Sequence, residues 1–292
     1  MYCIYSGKEI DESRANVEHI IPLSLGGCDE LTIYVDQDTN SRIGSEIDGK
    51  LTQDFLIALD RVRVGSIGHS NKQPIYNVQS RTESGEPLIT TFTKEDLKFF
   101  DPKQKEYTNY AGKINMKTTV NLYLRYKFVA KVALAVGYFL YGEDIERYTD
   151  CDILRKIIHS ENIKKMVEEQ PGIFSGIRFY DSLTKIRESD KPMLDTYKMY
   201  CSYSKKSNIL WTYSSESIIV HVAIFGKFVG LINFKANVKA IPRLKDDWLG
   251  HLMVCDGNML IRKSWRDAIL EVVEEYKLLS DEELAEAKSF KG

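Results

Sequence analysis

Pro22 stops a strand candidate, Val17 to Pro22, that has just delivered Glu18 and His19 side by side. This interruption constrains the chain more than any other feature, because proline cannot donate to a strand ladder and a strand must end or run at an edge where it stands. The loop Ser24 to Glu30 follows, with Gly26 and Gly27 inside it. An apolar run, Leu31 to Val35, comes next, and the polar stretch Asp36-Gln37-Asp38-Thr39 leads into a helix that opens near Asn40. Ahead of all this, Cys3-Ile4-Tyr5 is short and apolar and Ser6-Gly7-Lys8 turns, so residues 2–21 read as a compact β-hairpin region. Ile43, Ile47, Leu51, Phe55 and Leu59 recur every four residues, which predicts a helix that buries one face. Gly44 and Gly49 within it cost about 1 kcal/mol each relative to alanine, which points to a close approach there.

Beyond residue 60 the text is less specific. A length of 292 residues suggests two domains. The Gly65 to Pro74 stretch marks the boundary, giving a module over 1–64, a linker over 65–74 and an α+β body over 75–292. Strands are expected around Ile75–Val78 and Leu88–Phe92, with Thr93 capping a short helix. Thr118 to Leu140 and Asp152 to Glu169 read as helices. Ile209–Tyr213, Ser217–Phe225 and Phe228–Phe234 read as strands, the last two joined at Gly226-Lys227. Trp265 to Lys277 and Asp281 to Phe290 are helical, and Ser280 with Glu283 has capping-box spacing.

Charge and cysteine usage narrow the class. The net charge of −2 conceals −8 over residues 1–60, +11 over 61–266 and −5 over 267–292. A basic body can hold a polyanion while an acidic module supplies cation ligands; ordinary scatter explains the numbers equally well. Val120 to Tyr141 is the most apolar long stretch, but Arg125, Lys127 and Lys131 interrupt it, so it reads as a buried helix and not a membrane span. The five cysteines are scattered and odd in number, which fits a reducing cytoplasm better than a disulfide framework. No cationic leader precedes an apolar run.

The chemistry lies at the N-terminus. A carboxylate beside a histidine, followed by an amide oxygen at a helix start, is what metal-assisted phosphodiester cleavage needs: one group holds a hard cation and another takes a proton from water. On a regular strand Glu18 and His19 face opposite ways, so one site uses both only if it straddles the strand edge. Taken singly, Glu18 also fits an exposed edge acid, His19 a satisfied core histidine and Asn40 a helix cap.

Cys-Ile-Tyr-Ser-Gly-Lys from Cys3, Glu-His-Ile-Ile-Pro-Leu-Ser-Leu-Gly-Gly from Glu18 and Asn-Ser-Arg-Ile-Gly-Ser-Glu-Ile-Asp from Asn40 together resemble the HNH endonuclease family. The resemblance covers Cys3 to Leu51 and implies a ββα-metal module. It implies that His19 is the general base activating water and that Glu18 and Asn40 are metal ligands. It places Thr32 near the family's central asparagine, as a brace for the loop and for His19, and it aligns Asp48 with a family position, as a supporting residue or as a partner of Arg14 or Arg42. The structural zinc of many members is not expected, because Ser6, Asp36 and Thr39 stand beside Cys3 where paired cysteines would be. Gly44 replaces a third ligand found in some relatives. Oxygen donors alone then favour Mg²⁺ or Mn²⁺. Asp36 and Asp38 lie near enough to bind a cation but also suit loop solvation.

The expected function is a metal-dependent DNA endonuclease, a nickase as a monomer, with a setting such as restriction, phage defence or a mobile element and partners from such a system. Two alternatives stay open: a nucleic-acid-binding protein with a degenerate HNH fold, and an RNase toxin of the same fold. Elsewhere, His69 is a phosphate-contact candidate in the linker, and His159, His221 and His251 have no partner at ligand spacing. Part of the Arg125, Lys127 and Lys131 set is a candidate DNA-facing stripe. Tyr197 to Lys206 interleaves aromatic and basic residues but fits a core edge better.

Overall fold

The computed structural model describes residues 1–68, 71–242 and 249–289, so His69 lies outside the described residues. Tyr2–Cys3 and Lys8–Glu9 pair antiparallel across a turn at Gly7. The strand that carries Glu18 and His19, Ala15–His19, does not pair back onto this hairpin. Its partner is Thr32–Asp36, with His19 opposite Thr32 and Ala15 opposite Asp36. The single hairpin expected over residues 2–21 is therefore two small sheets. The reason lies in the loop: a Cβ on Gly27 would sit 1.7 Å from the Ile21 carbonyl oxygen, so only glycine lets the chain fold back this tightly.

Asp36 caps the helix that follows, its carboxylate accepting from the Thr39 amide at 3.0 Å. Gln37–Ile43 passes into a π-helical stretch, Gly44–Asp48, closed by the Gly49 N–H on the Gly44 carbonyl, and then into Gly49–Leu51. A spacing of four overruns the 3.6-residue α turn, and the wider π turn absorbs the excess. Ile43, Ile47 and Leu51 thereby stay on one buried face. The chain then breaks at Thr52–Asp54, and Phe55–Val64 is a separate helix on which Phe55 and Leu59 are only half-buried. Gly44 serves no close approach: a Cβ there would meet nothing within 4 Å.

Residues 76–116 form a five-stranded antiparallel sheet in the order Glu106–Thr108, Leu97–Asp101, Pro87–Phe92, Tyr76–Thr82, Ile114–Met116. The helix expected after Thr93 is a tight turn, in which the Thr93 hydroxyl accepts from the Asp96 amide at 3.0 Å. The central helix Leu122–Tyr141 is capped by Asn121 and is nearly continuously apolar over Phe128–Gly137. Asp152 to Glu169 is two helices, Cys151–His159 and Ile163–Glu169, because Asn162 caps the second.

The body is built on a six-stranded antiparallel sheet, ordered Ile177–Tyr180, Lys227–Lys235, Ser217–Ile224, Asn208–Tyr213, His251–Asp256, Met259–Ser264. Its hairpin turn is Phe225-Gly226, one residue earlier than expected, with both residues at positive φ. Strand alternation gives the sheet two apolar faces. Ile209, Trp211, Val220 and Val222 join the central helix on one side, and Leu210, Ala223 and Leu252 join the helices Lys191–Ser204 and Trp265–Glu275 on the other. Tyr197 and Tyr200 are part of that second core.

The first core does not stop at the body. Cys3, Ile20, Ile43, Ile47, Leu51 and Ile57 belong to the same buried cluster as Phe128, Val132 and Trp211. The central helix is thus packed between the N-terminal module and the sheet. Among the described residues no helix is long and apolar enough to cross a membrane.

Candidate functional site

Glu18, His19, Asn40, Asp48, Arg61 and three small hydroxyl residues line one cleft of about 490 Å³ beside the end of the Ala15–His19 strand. Glu18 and His19 do straddle the edge: Glu18 is buried, His19 is half-buried, and both reach the cleft. Asn40, from the first turns of its helix, donates its amide nitrogen to the Val17 carbonyl at 3.1 Å and to Asn16 Oδ1 at 3.3 Å. That leaves the amide oxygen as its donor atom towards a cation. Gly44, one turn on, keeps the cleft open.

Behind the cleft stands a side chain that the module itself does not supply. Lys131, fully buried on the central helix, places its ammonium 2.5 Å from Glu18 Oε1 and 3.0 Å from Asp48 Oδ2. The same nitrogen donates to the backbone carbonyls of His19 at 3.3 Å and Ile20 at 3.2 Å. Burial alone would depress this ammonium's pKa; the Asp48 and Glu18 carboxylates outweigh it and raise the pKa instead. Asp48 is pushed up to about 7, chiefly by burial, against the attraction of Lys131. Its second oxygen, Oδ1, is buried without a hydrogen-bond partner among the described residues. Tyr5 completes the group, its hydroxyl lying 3.4 Å from Glu18 Oε1.

His19 is oriented by a residue that the sequence did not single out: Nε2 lies 3.0 Å from Asp29 Oδ1. Thr32 stands opposite His19 in the ladder, and its hydroxyl donates to the Asp29 carbonyl at 3.5 Å. Asp48 pairs with neither arginine suggested for it. Arg14 holds Asp36 at 2.6 Å and Asp38 at 2.9 Å, and Arg42 meets His159 Nδ1 at 3.0 Å. His159 Nε2 in turn lies 2.9 Å from the Tyr5 carbonyl, so that histidine ties the module to the body. Arg125 and Lys131 are buried in ion pairs and cannot form a DNA-facing stripe.

Three of the four knuckle positions, Cys3, Asp36 and Thr39, are tied together without thiolate pairs. The Asp36 amide donates to Cys3 Sγ at 3.3 Å, and the Asp36 carboxylate caps Thr39 and accepts from Arg14. The Arg14 guanidinium holds the Asp36 carboxyl below the usual carboxylate range.

Among the described residues, no group of three or more His, Cys, Asp or Glu side chains is spaced to hold a metal ion. The cleft's side-chain oxygen donors include instead two carboxylates, Glu18 and Asp48, and two amides, Asn16 and Asn40. That set suits a small hard cation and not zinc, and the unpartnered Asp48 Oδ1 fits it. Asp29 and Arg61 escaped the sequence reading, in which Lys131 is a charge in an apolar helix and not part of the site.

Comparison with curated proteins and with solved structures finds no match. Residues 3–56 match the model of a family described as HNH endonuclease, which covers the cleft's strand, its loop and its helix. The match is consistent with an HNH-family module at the N-terminal part of the chain.

Proposed function

We propose that the chain is a metal-dependent endonuclease that hydrolyses DNA phosphodiester bonds at the cleft of residues 16–68. The observation that carries this reading is the convergence of Glu18, His19 and Asn40 on one cleft within a segment matching the HNH endonuclease family. His19, whose Nε2 lies 3.0 Å from Asp29 Oδ1, would take the proton from the attacking water as general base. Glu18, Asn40 and the free oxygen of Asp48 would hold Mg²⁺ or Mn²⁺, which when bound offsets charge developing at the phosphate. Arg61 on the cleft wall offers a guanidinium to the same phosphate. One base and one cation site cut one strand, so nicking is the expected outcome for a monomer.

Supercoiled-plasmid nicking with Mg²⁺ or Mn²⁺ tests this. His19→Ala is expected to lose about 10²–10⁴-fold in rate, and Asn40→Ala to require more cation for half-maximal rate. Variants that cut like the wild type, or a wild type that cuts no DNA with either metal, would remove the reading. Cleavage of RNA resistant to EDTA would favour the RNase alternative, in which a 2′-OH attacks without metal.

The five-stranded sheet supports a DNA-positioning role for part of the body. Its open face carries Asn77, Gln79, Arg81, Lys98, Tyr107 and Asn115, all exposed, with Phe100 stacked edge-on to Tyr107 at 5.4 Å. Register puts them on one side, and no acidic residue occupies a strand position on that side. Basic and aromatic groups on a flat sheet suit a nucleic-acid backbone and its bases. Arg81→Ala with Lys98→Ala is expected to weaken DNA binding and to reduce the slope of log K against log salt by about 2, at about 0.9 per phosphate contact. An unchanged slope would remove the sheet from the DNA path.

A further inference from the structure

We infer that Lys131 is a built-in counter-cation of the HNH cleft, a positioning residue by which the body sets both the shape of the site and its affinity for a divalent ion. The inference rests on the reading of Glu18 as a cation ligand. Its geometric basis is the set of four acceptors around one buried nitrogen: Glu18 Oε1, Asp48 Oδ2 and the carbonyls of His19 and Ile20, all within 3.3 Å. An ammonium has three protons, so four acceptors crowd it as ligands crowd a metal ion. A lysine with no exposed surface is tolerated only when paired, and here both partners belong to the cleft.

Two consequences follow from this arrangement. The two carbonyls belong to the residues at the strand end, so Lys131 fixes the backbone from which the His19 imidazole projects. The two carboxylates share a single positive charge, so the site carries a formal charge of about −1 instead of −2. A divalent cation arriving in the cleft therefore meets a partly neutralised donor set, with Asp48 Oδ1 still to offer. Lys131 keeps the apo site from repelling itself and weakens the hold on the metal in return.

The test is Mn²⁺ binding by the full-length protein at pH 8, followed by calorimetry and by the electron-spin signal of free Mn²⁺, with no cleavage readout. The charge ladder predicts an order. Lys131→Gln, which removes the ammonium that competes with the ion for both carboxylates, should bind at least about tenfold more tightly than wild type. The Asp48→Asn, Lys131→Gln double variant, with the wild-type net charge, should fall near wild type. Asp48→Asn alone, whose Lys131 answers Glu18 only, should bind more weakly. Melting of Lys131→Gln without metal should drop and should recover with Mn²⁺ more than that of wild type.

If Lys131→Gln folds poorly, Asp48→Asn and the double variant still decide the order, since neither leaves two carboxylates facing each other with no cation between them. Equal Mn²⁺ affinities across the series, or none in any member, would overturn the inference and leave Lys131 a packing residue. A protein that follows the ladder but cuts nothing would keep the inference and remove the nuclease reading. A protein that cuts DNA with a flat ladder would do the reverse.

Discussion

Severed after Gly68, the N-terminal module is expected to be largely unfolded: a far-ultraviolet spectrum of disordered chain, poorly dispersed amide resonances and no cooperative melt. A chain of this length has a core that rarely supplies more than about 3–5 kcal/mol, so it is marginal without a staple. The usual staple of such small domains, a structural zinc, contributes about 10–16 kcal/mol, whereas here positions 3, 6, 36 and 39 hold one cysteine among oxygen-bearing side chains. What replaces it is the central helix. Ile43, Ile47 and Leu51 are in one buried cluster with Phe128 and Val132, and truncation would lay that apolar face open to water. It would also remove Lys131 and leave Glu18 and Asp48 buried side by side with no cation. Breaking a buried pair by removing one partner costs about 3–5 kcal/mol, which is comparable to all that a small core supplies. A folded, cooperatively melting fragment would show that the module carries its own stability and that its contacts with the body are incidental.

The same division between local and distant explains what could be read in advance. Glu18, His19 and Asn40 were legible because their meeting depends on one strand, one loop and one helix, each with its own signal: Pro22, Gly27 and the Asp36 cap. Asp48 was half-legible: the four-residue apolar repeat located its helix, but the π turn that aims it at the cleft has no residue signature beyond Gly44 and Gly49. Lys131 could be seen only as a charge breaking an apolar run, since its partners lie about a hundred residues earlier in the chain. A sequence read for periodicity assigns such a charge to solvent; only tertiary packing shows that it closes an ion pair. Asp29 was hidden for the opposite reason. It is an ordinary acid in a polar loop, and its alignment with His19 comes from the loop's fold and not from spacing. The strands Glu106–Thr108 and Ile114–Met116 were missed because three residues of mixed character carry no period to detect.

Arg125→Ala is expected to cost about 3–5 kcal/mol of folding free energy and to lower the melting temperature by roughly 10 °C, at about 2–4 °C per kcal/mol for a chain of this size. Arg125 grips Asp54 through Nη2 to Oδ1 at 2.6 Å and Nε to Oδ2 at 3.3 Å, with both side chains almost wholly buried. Asp54 stands where the module's first helix ends and the Phe55–Val64 helix begins, so this pair sets the angle at which the second helix leaves. Either partner left alone is a buried, uncompensated charge, and Asp54→Ala should be nearly as damaging as Arg125→Ala. The double variant Arg125→Met, Asp54→Ala strands neither charge and should be far more stable than the sum of the two single losses predicts. A cycle in which the losses simply add would mean that the two side chains do not act as a pair. Stability and function should part company in that double variant. The Phe55–Val64 helix also carries Arg61, which walls the cleft, and among the described residues no other ion pair holds the helix start in place. Recovered melting with persistently weakened DNA nicking is therefore the expected signature, because packing alone restores the core while the position of Arg61 depends on a bidentate contact that methionine cannot make.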